Sequence, residues 1–327
     1  MQDTAAQNLQ LIADIGATNA RFQLLEQFKP VGAPITLPTK EFSQAPDLVR
    51  SALAALDADS VDQALFALAG PHDAHGNITL SNTGLQFAQQ NLSSQLDAPL
   101  WLVNDFYALA HGVPHFKALH QLGGNSTPGG INKALLGPGS GLGMAILVPD
   151  RGKASWRVVA SEGGHADLAP ANHLDAQLWE ILSLTHQHVS WETVVCGPGL
   201  LNLYRAMCQI WGAAPEPLTP EEISQRGVTM QDPVCHQTLE SFCGLLGSAA
   251  GNLALTATAT DGVYIAGGIV GHFVDFLETT PLRRRFEERG AMTDLIQDVP
   301  IFVVTEPHPG LLGAAHCLSA QIIEEQR

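Results

Sequence analysis

Short apolar runs, each cut off by glycine or a small polar residue, set the rhythm of the first hundred positions. Residues 9–13 form such a run, which stops at Asp14. Gly16 follows, and residues 20–25 resume the apolar pattern. Runs this short, bounded by turn residues, predict buried strands, and two of them around one glycine predict a strand–turn–strand unit. Residues 64–69, closed by Gly70-Pro71, predict another strand. Residues 100–103 predict one that delivers Asn104 and Asp105 at its carboxyl end. Residues 134–148 hold two apolar arms around Gly137-Pro138-Gly139-Ser140-Gly141-Leu142-Gly143, a second hairpin with a glycine-rich turn. Residues 156–160 predict a strand that leads into Ser161-Glu162-Gly163-Gly164-His165.

Farther on the period changes. Leu174, Leu178, Ile181 and Leu182 recur at helical spacing, and Leu239, Phe242, Leu246, Ala249 and Leu253 mark a long buried helix. Pro198 stands where a first-turn proline opens a helix over 199–211. Residues 263–266 read as a strand running into Gly267-Gly268 and a helix, 301–305 as a last strand, and 310–323 as a last helix. Strands first, then strands mixed with helices, predict an α/β protein with two mixed sheets. A chain of 327 residues exceeds one comfortable core, so two domains are expected.

Composition narrows the function classes. Hydrophobic residues make up 45% and charged residues 15%, as in a folded globular protein. The formal net charge of −16 argues against nucleic-acid and anionic-membrane partners, which demand a basic surface. It leaves a nucleotide ligand open, because backbone N–H groups and Mg²⁺ hold phosphates locally. The five cysteines, Cys196, Cys208, Cys235, Cys243 and Cys317, form no CxxC pair and read as reduced thiols. Residues 1–8 are polar, without a basic start or an apolar segment, so no signal peptide is expected. No stretch approaches the roughly 18–20 apolar residues of a membrane span. A cytoplasmic protein is the expectation.

Four segments carry candidate chemistry. In Asp14-Ile15-Gly16-Ala17-Thr18-Asn19, glycine permits a tight turn and close approach to a ligand, and the carboxylate suits a hydrated Mg²⁺; an ordinary hairpin with an Asx contact reads equally well. The turn lacks the Lys and the helix of a Walker loop. The second turn, with Gly139, Ser140 and Gly141 at its centre, exposes N–H groups suited to an anion. Asp105, at a strand's carboxyl end, is placed to act as a base or to N-cap the helix that starts there, and the two roles can coexist. Glu162 and His165, two glycines apart, suit a polyol, whose hydroxyls both donate and accept; a metal site is disfavoured because no further His or Cys lies at ligand spacing. Glu192 reads alone as a surface carboxylate, and His188 and the other scattered histidines form no triad.

These segments, in this order, resemble the bacterial glucokinase family of the hexokinase–actin–Hsp70 superfold over almost the whole chain. The first turn is similar to D-[IV]-G-G-T-N-A-R, Val103-Asn104-Asp105-Phe106 to the N-D segment, and the second turn to G-x-G-T-G-L-G. Glu162–His165 matches E-G-G-H; residues 196–205 match S-G-P-G-L-x-N-L-Y-R; residues 262–270 match the adenosine segment, and Pro309-Gly310-Leu311-Leu312-Gly313 also matches. Ala17 stands where the family has a second glycine and Ser140 where it has threonine, which leaves nucleotide affinity the open point.

The resemblance implies a two-domain, ribonuclease H-like or actin-like ATPase fold, each domain a mixed sheet with flanking helices and a cleft between them. Residues 1–110 with 306–327 would form the small domain and 111–305 the large one. It implies phosphoryl transfer from ATP to the 6-hydroxyl of glucose. Asp105 would be the general base, and Asn82, Asn104, Glu162, His165 and Glu192 would hold the sugar. Ala13, Asp14, Ile15, Gly16, Ala17, Thr18 and Asn19 would wrap the phosphates, with Gly139, Ser140 and Gly141 opposing them. Gly267 and Gly268 would face adenosine, and Asp14 would hold Mg²⁺ through water. The family is commonly homodimeric, so a homodimer is expected. Repressor, ORF and kinase (ROK) proteins resemble the chain less, since no cysteine-rich zinc segment follows Glu162–His165.

Overall fold

A computed structural model describes residues 8–70, 73, 75–80, 83–125, 129–150 and 155–325. The chain divides into two compact units, one built from residues up to Phe116 together with Pro307 onward, the other from Lys117–Glu306.

The first segment runs β1 (Leu9–Ile15), β2 (Asn19–Glu26), β3 (Lys29–Pro38), α1 (Ala45–Ala55), β4 (Gln63–Leu68), a small pair β5 (Ile78–Thr79) and β6 (Gln86–Phe87), α2 (Gln89–Leu96), β7 (Leu100–Asn104) and α3 (Asp105–Gly112). The second unit holds β8 (Leu119–Gln121), β9 (Lys133–Pro138), β10 (Leu142–Pro149), β11 (Trp156–Ser161), α4 (His173–Ser183), α5 (Gly197–Trp211), α6 (Pro220–Val228), α7 (Pro233–Ala257) and β12 (Val263–Ile265). Four short helices follow, α8 (Gly268–Gly271), α9 (Val274–Leu277), α10 (Leu282–Glu287) and α11 (Thr293–Ile296), and then β13 (Ile301–Val304). The last helix, α12 (Pro309–Glu325), belongs to the first unit.

The sheet of the first unit has the order β3-β2-β1-β4-β7. β1 pairs antiparallel with β2 but parallel with β4, and β4 parallel with β7. β1 and β4 are apolar almost throughout because both faces of the sheet are covered. One face packs Phe22, Leu48, Phe66 and Leu92 against α1 and α2; the other packs Ile12, Leu65, Leu311 and Leu318 against α3 and α12. Gly313 lets α12 close on α3, since a Cβ there would strike the Ala108 carbonyl. At the same interface His115 stacks on His316 with 3.5 Å between ring centroids, and His111 meets Tyr107 edge-on. Burial first, then the charge of a neighbouring histidine, pushes His111 and His316 down to about 4. Burial lowers His115 as well.

The second sheet has the order β11-β10-β9-β12-β13-β8. α7 is apolar nearly all round, as a helix in the middle of a core must be. Gly247 gives room for the Leu282 carbonyl against it. Beside it Arg285 makes a two-pronged buried ion pair with Asp175, at 3.0 and 2.6 Å. Among the described residues no helix is long and apolar enough to cross a membrane.

Candidate active site

In the first unit the polar residues gather at one edge of the sheet. Ile15 lies opposite Leu68, and Leu68 opposite Asn104, so the carboxyl ends of β1, β4 and β7 are level. Such an edge is where parallel sheets leave room for ligands. Asp14 and Asn104 are two strands apart there, roughly 10 Å at the usual strand spacing.

Asp14 faces Arg21 across the β1–β2 ladder, 3.8 Å from its guanidinium. Gly310 admits the first turn of α12 against Asp14, since a Cβ would collide with that carboxylate. Burial raises the Asp14 carboxyl above its ordinary range, while the charges of Arg21 and His308 pull it back. The turn beyond is held by backbone. Gly16 N–H donates to Asn19 O at 3.0 Å, and Thr39 donates its N–H to Thr18 O and its hydroxyl to Gly16 O, both at 3.0 Å. Ala17 is outside the left-handed region, so the methyl that replaces the family's glycine brings no backbone strain.

Asn104, not Asp105, caps α3. Its Oδ1 accepts from the N–H groups of Phe106 at 2.9 Å and Tyr107 at 3.0 Å. The N-cap reading of Asp105 is thus corrected by one position, because β7 extends through Asn104 and the helix takes Asp105 as its first residue. There Asp105 Oδ1 accepts from the adjacent Phe106 N–H at 2.9 Å, and a negative charge is favoured by the helix dipole. Asn82 lies outside the described residues.

In the second unit the glycine turn is locked from three sides. Gly139 N–H donates to Gly141 O at 2.8 Å, and Gly197 N–H, opening α5, donates to Gly139 O at 2.9 Å. Leu142 N–H donates to the Glu192 carboxylate at 2.7 Å, and a Cβ on Gly141 would run into that carboxylate. Gly267 has φ of +113°, and a Cβ on it would strike the Pro138 carbonyl. Gly267 therefore sits directly behind the turn, with Gly268 opening α8 beyond it, while Ser140 is exposed at the turn's apex. Cys196 caps α5 through its sulfur, which accepts from Gly199 N–H at 3.2 Å; burial pushes this thiol up to about 11. Next to Gly268, α6 and α8 enclose a pocket of about 320 Å³ lined by Ser224, Val228, Ile269, His272 and Phe273.

The polyol-suited residues also meet in this unit. After β11 the chain makes a 3-10 turn at Gly163–His165 and then pairs with residues 189–192. Leu168 N–H donates to Val189 O, Trp191 N–H to Ala166 O, and Glu192 N–H to Gly164 O, at 2.9, 3.1 and 2.8 Å. This ladder sets His165 Nδ1 3.9 Å from Glu192 Oε1 and its Nε2 4.0 Å from Glu162 Oε2. Glu162 and His165 are exposed and Glu192 is half-buried. Sequence spacing alone leaves Glu192 a surface carboxylate; pairing of residues 21 to 28 apart brings it here. The role of His188, whose ring nitrogen lies 2.9 Å from His165 O, is equally invisible in the sequence.

A family model described as Glucokinase matches residues 11–321. The glucokinase of Chromobacterium violaceum is 40% identical, the match covering 93% of this chain and 88% of the relative. That of Hahella chejuensis is 37% identical, with 95% and 97% covered. A glucokinase crystal structure from an Antarctic psychrotroph superposes with a TM-score of 0.82 at 35% identity, covering 96% of this chain and 99% of that one. A ROK-family glucokinase from Streptomyces griseus, solved with glucose and AMPPNP, shares the fold with a TM-score of 0.65 at 19% identity, with 94% and 98% covered. On the family match and these identities, the chain belongs to the glucokinase family of ATP-dependent hexose kinases.

Proposed function

We propose that Asp105 is the general base of this glucokinase. The observation that carries the reading is its place: first residue of α3, at the carboxyl edge of β7, on the sheet edge that also holds Asp14. The carboxylate takes the proton of the glucose 6-hydroxyl as that oxygen bonds to the γ-phosphorus of ATP. The bond from phosphorus to the β,γ-bridging oxygen breaks, and ADP leaves with those electrons. Asn104, with its oxygen fixed on α3, presents its amide to the sugar, and Asn82 is assigned to the sugar by the family's motif alone. Glu162, His165 and Glu192 accept from and donate to the remaining hydroxyls. Their spacing around one imidazole supports a single polyol ligand.

The turn from Ala13 through Asn19 and the turn Gly139–Ser140–Gly141 offer N–H groups to the phosphates. Gly267 and Gly268 lie along adenosine, with the base in the pocket between α6 and α8. Asp14 fits a hydrated Mg²⁺, a cation that takes one or two carboxylates, substrate phosphates and water. Among the described residues no group of three or more His, Cys, Asp or Glu side chains forms a cage. Asp14 would hold the ion through water, and the ion would supply neutralising charge to the transferring group. The residues 1–110 with 306–327 would then serve as the unit carrying the base, Asn82 and Asn104, and 111–305 as the unit carrying Glu162, His165 and Glu192.

The test is ATP consumption, coupled to ADP detection, across a panel of hexoses, with wild-type protein and Asp105→Asn. Glucose should be the preferred acceptor. The variant should keep its melting temperature and lose at least about 10²-fold in turnover. Near-wild-type turnover would remove Asp105 from the role.

A further inference from the structure

The ladder that sets Glu192 beside His165 leaves one carbonyl to be accounted for. Gly164 O and Ala166 O accept from the backbone of residues 192 and 191. The carbonyl between them, His165 O, lies 2.9 Å from His188 Nε2. The other ring nitrogen of His188 lies 3.3 Å from the Asp167 carboxylate. A carbonyl only accepts, so Nε2 donates the bond to His165 O, and Nδ1 is left facing the carboxylate. One imidazole thus ties together the two residues that bracket Ala166, on the chain segment that leaves the turn bearing Glu162 and His165. Its neighbours are used differently: His186 Nδ1 lies 3.2 Å from the Leu182 carbonyl, and Gln187 and Trp179 line an open hollow with Asp167 and His188.

We propose that His188 is a positioning residue for the sugar, acting through the His165 carbonyl, with Asp167 orienting its ring. This rests on the reading of Glu162, His165 and Glu192 as sugar ligands. Backbone pairing holds the peptide plane after His165 at its N–H end only, where Ala166 N–H donates to Gly163 O at 3.1 Å; its carbonyl end is held by the His188 ring. The imidazole is the second hold on that peptide and so sharpens the direction in which the His165 side chain leaves the chain. Loss of the brace spreads His165 over several orientations and weakens the hold on glucose. The transferring group and its base are served by other residues, so turnover of bound substrate is spared.

Steady-state kinetics with glucose and ATP on the full chain, with melting temperatures, test this in His188→Leu, His188→Gln, Asp167→Ala and His165→Ala. Leucine keeps most of the ring's bulk without a donor; glutamine keeps a donor without the ring. His188→Leu should raise KM for glucose about tenfold, the worth of one good hydrogen bond, with kcat within about twofold and KM for ATP unmoved. His188→Gln should recover most of that loss, and Asp167→Ala should raise KM for glucose about two- to threefold. Equal KM values for the leucine and glutamine variants, or a joint loss of kcat and both KM values, would overturn the brace. If His165→Ala shifts KM for glucose while His188→Leu does not, the positioning role alone falls. If His165→Ala shifts nothing, the sugar assignment falls and the brace with it.

Discussion

The two glycine turns share a plan and differ in what surrounds them. The turn after β1 is built from its own backbone and Thr39, and the nearest atom to a Cβ on Gly16 is Asn19 O at 3.6 Å. The turn after β9 is wedged among Glu192, the start of α5 and Gly267. Glycine in the first turn leaves space for a ligand; glycine in the second leaves space for the protein. The second unit accordingly keeps glycine at Gly141 and Gly267, where a Cβ would collide with its neighbours. The same contrast runs through the histidines. In the first unit His111 and His316 are half-buried between helices, whereas His165 and His188 of the second are exposed and bonded across loops.

The sharpest way to break the comparison is a matched pair of alanine substitutions. Gly267→Ala forces an L-residue to φ near +113° against the Pro138 carbonyl. It should cost about 1–3 kcal/mol from the backbone conformation alone, more with the collision. Gly16→Ala should stay within about 0.5 kcal/mol. Denaturant midpoints measure both; equal losses would erase the distinction between the turns.

Acid should expose the second contrast. Burial holds His111 and His316 at about 4 in the fold against an ordinary 6.5, so the native state favours the neutral rings. For depressed groups of this type stability is complete above about 6.5 and is lost as pH falls toward about 4. Hydrogen exchange should show α3 and α12 loosening over that window before the helices of the second unit. The double variant His111→Asn, His316→Gln should flatten the pH dependence. Uniform loosening of both units would count against it.

The smallest effect belongs to Asp14. Its carboxyl is raised from 3.8, burial outweighing Arg21 and His308, so ionisation costs stability as pH rises above that value. Asp14→Asn should therefore melt slightly higher than wild type at pH 7, and the gain should shrink in acid, while activity falls. A lower melting temperature at pH 7 would show that Arg21 and His308 outweigh burial.

Much of the fold was legible because its key strands are short apolar runs stopped by Asp, Asn or Gly. β1, β4, β7, both hairpins and the strand ending in Ser161 follow from that pattern, and so does the delivery of Asp14, Asn104 and Asp105 to strand ends. β3 escaped because Pro30, Gly32, Pro34 and Pro38 spoil a strand signal; as an edge strand it tolerates them. α6 carried a readable signal, the Thr219–Glu222 capping box. The cluster of Glu162, His165 and Glu192 was only half visible. Two members lie three residues apart, but the third arrives by a ladder across more than twenty residues, which no local pattern encodes. The strand order of the second sheet, with β9 between β10 and β12, is non-local in the same way.

The return of α12 to the first unit has a consequence for synthesis. α12 supplies Leu311, Ala314, Cys317 and Leu318 to one face of a sheet whose strands emerge first from the ribosome. About 190 residues of the second unit must be translated in between. At roughly 5–20 residues per second that is a wait of about ten to forty seconds, during which Ile12 and Leu65 lack their covering helix. The later unit, continuous in the chain, is free to finish folding before the earlier one, whose sheet lacks α12 on that face in the interval.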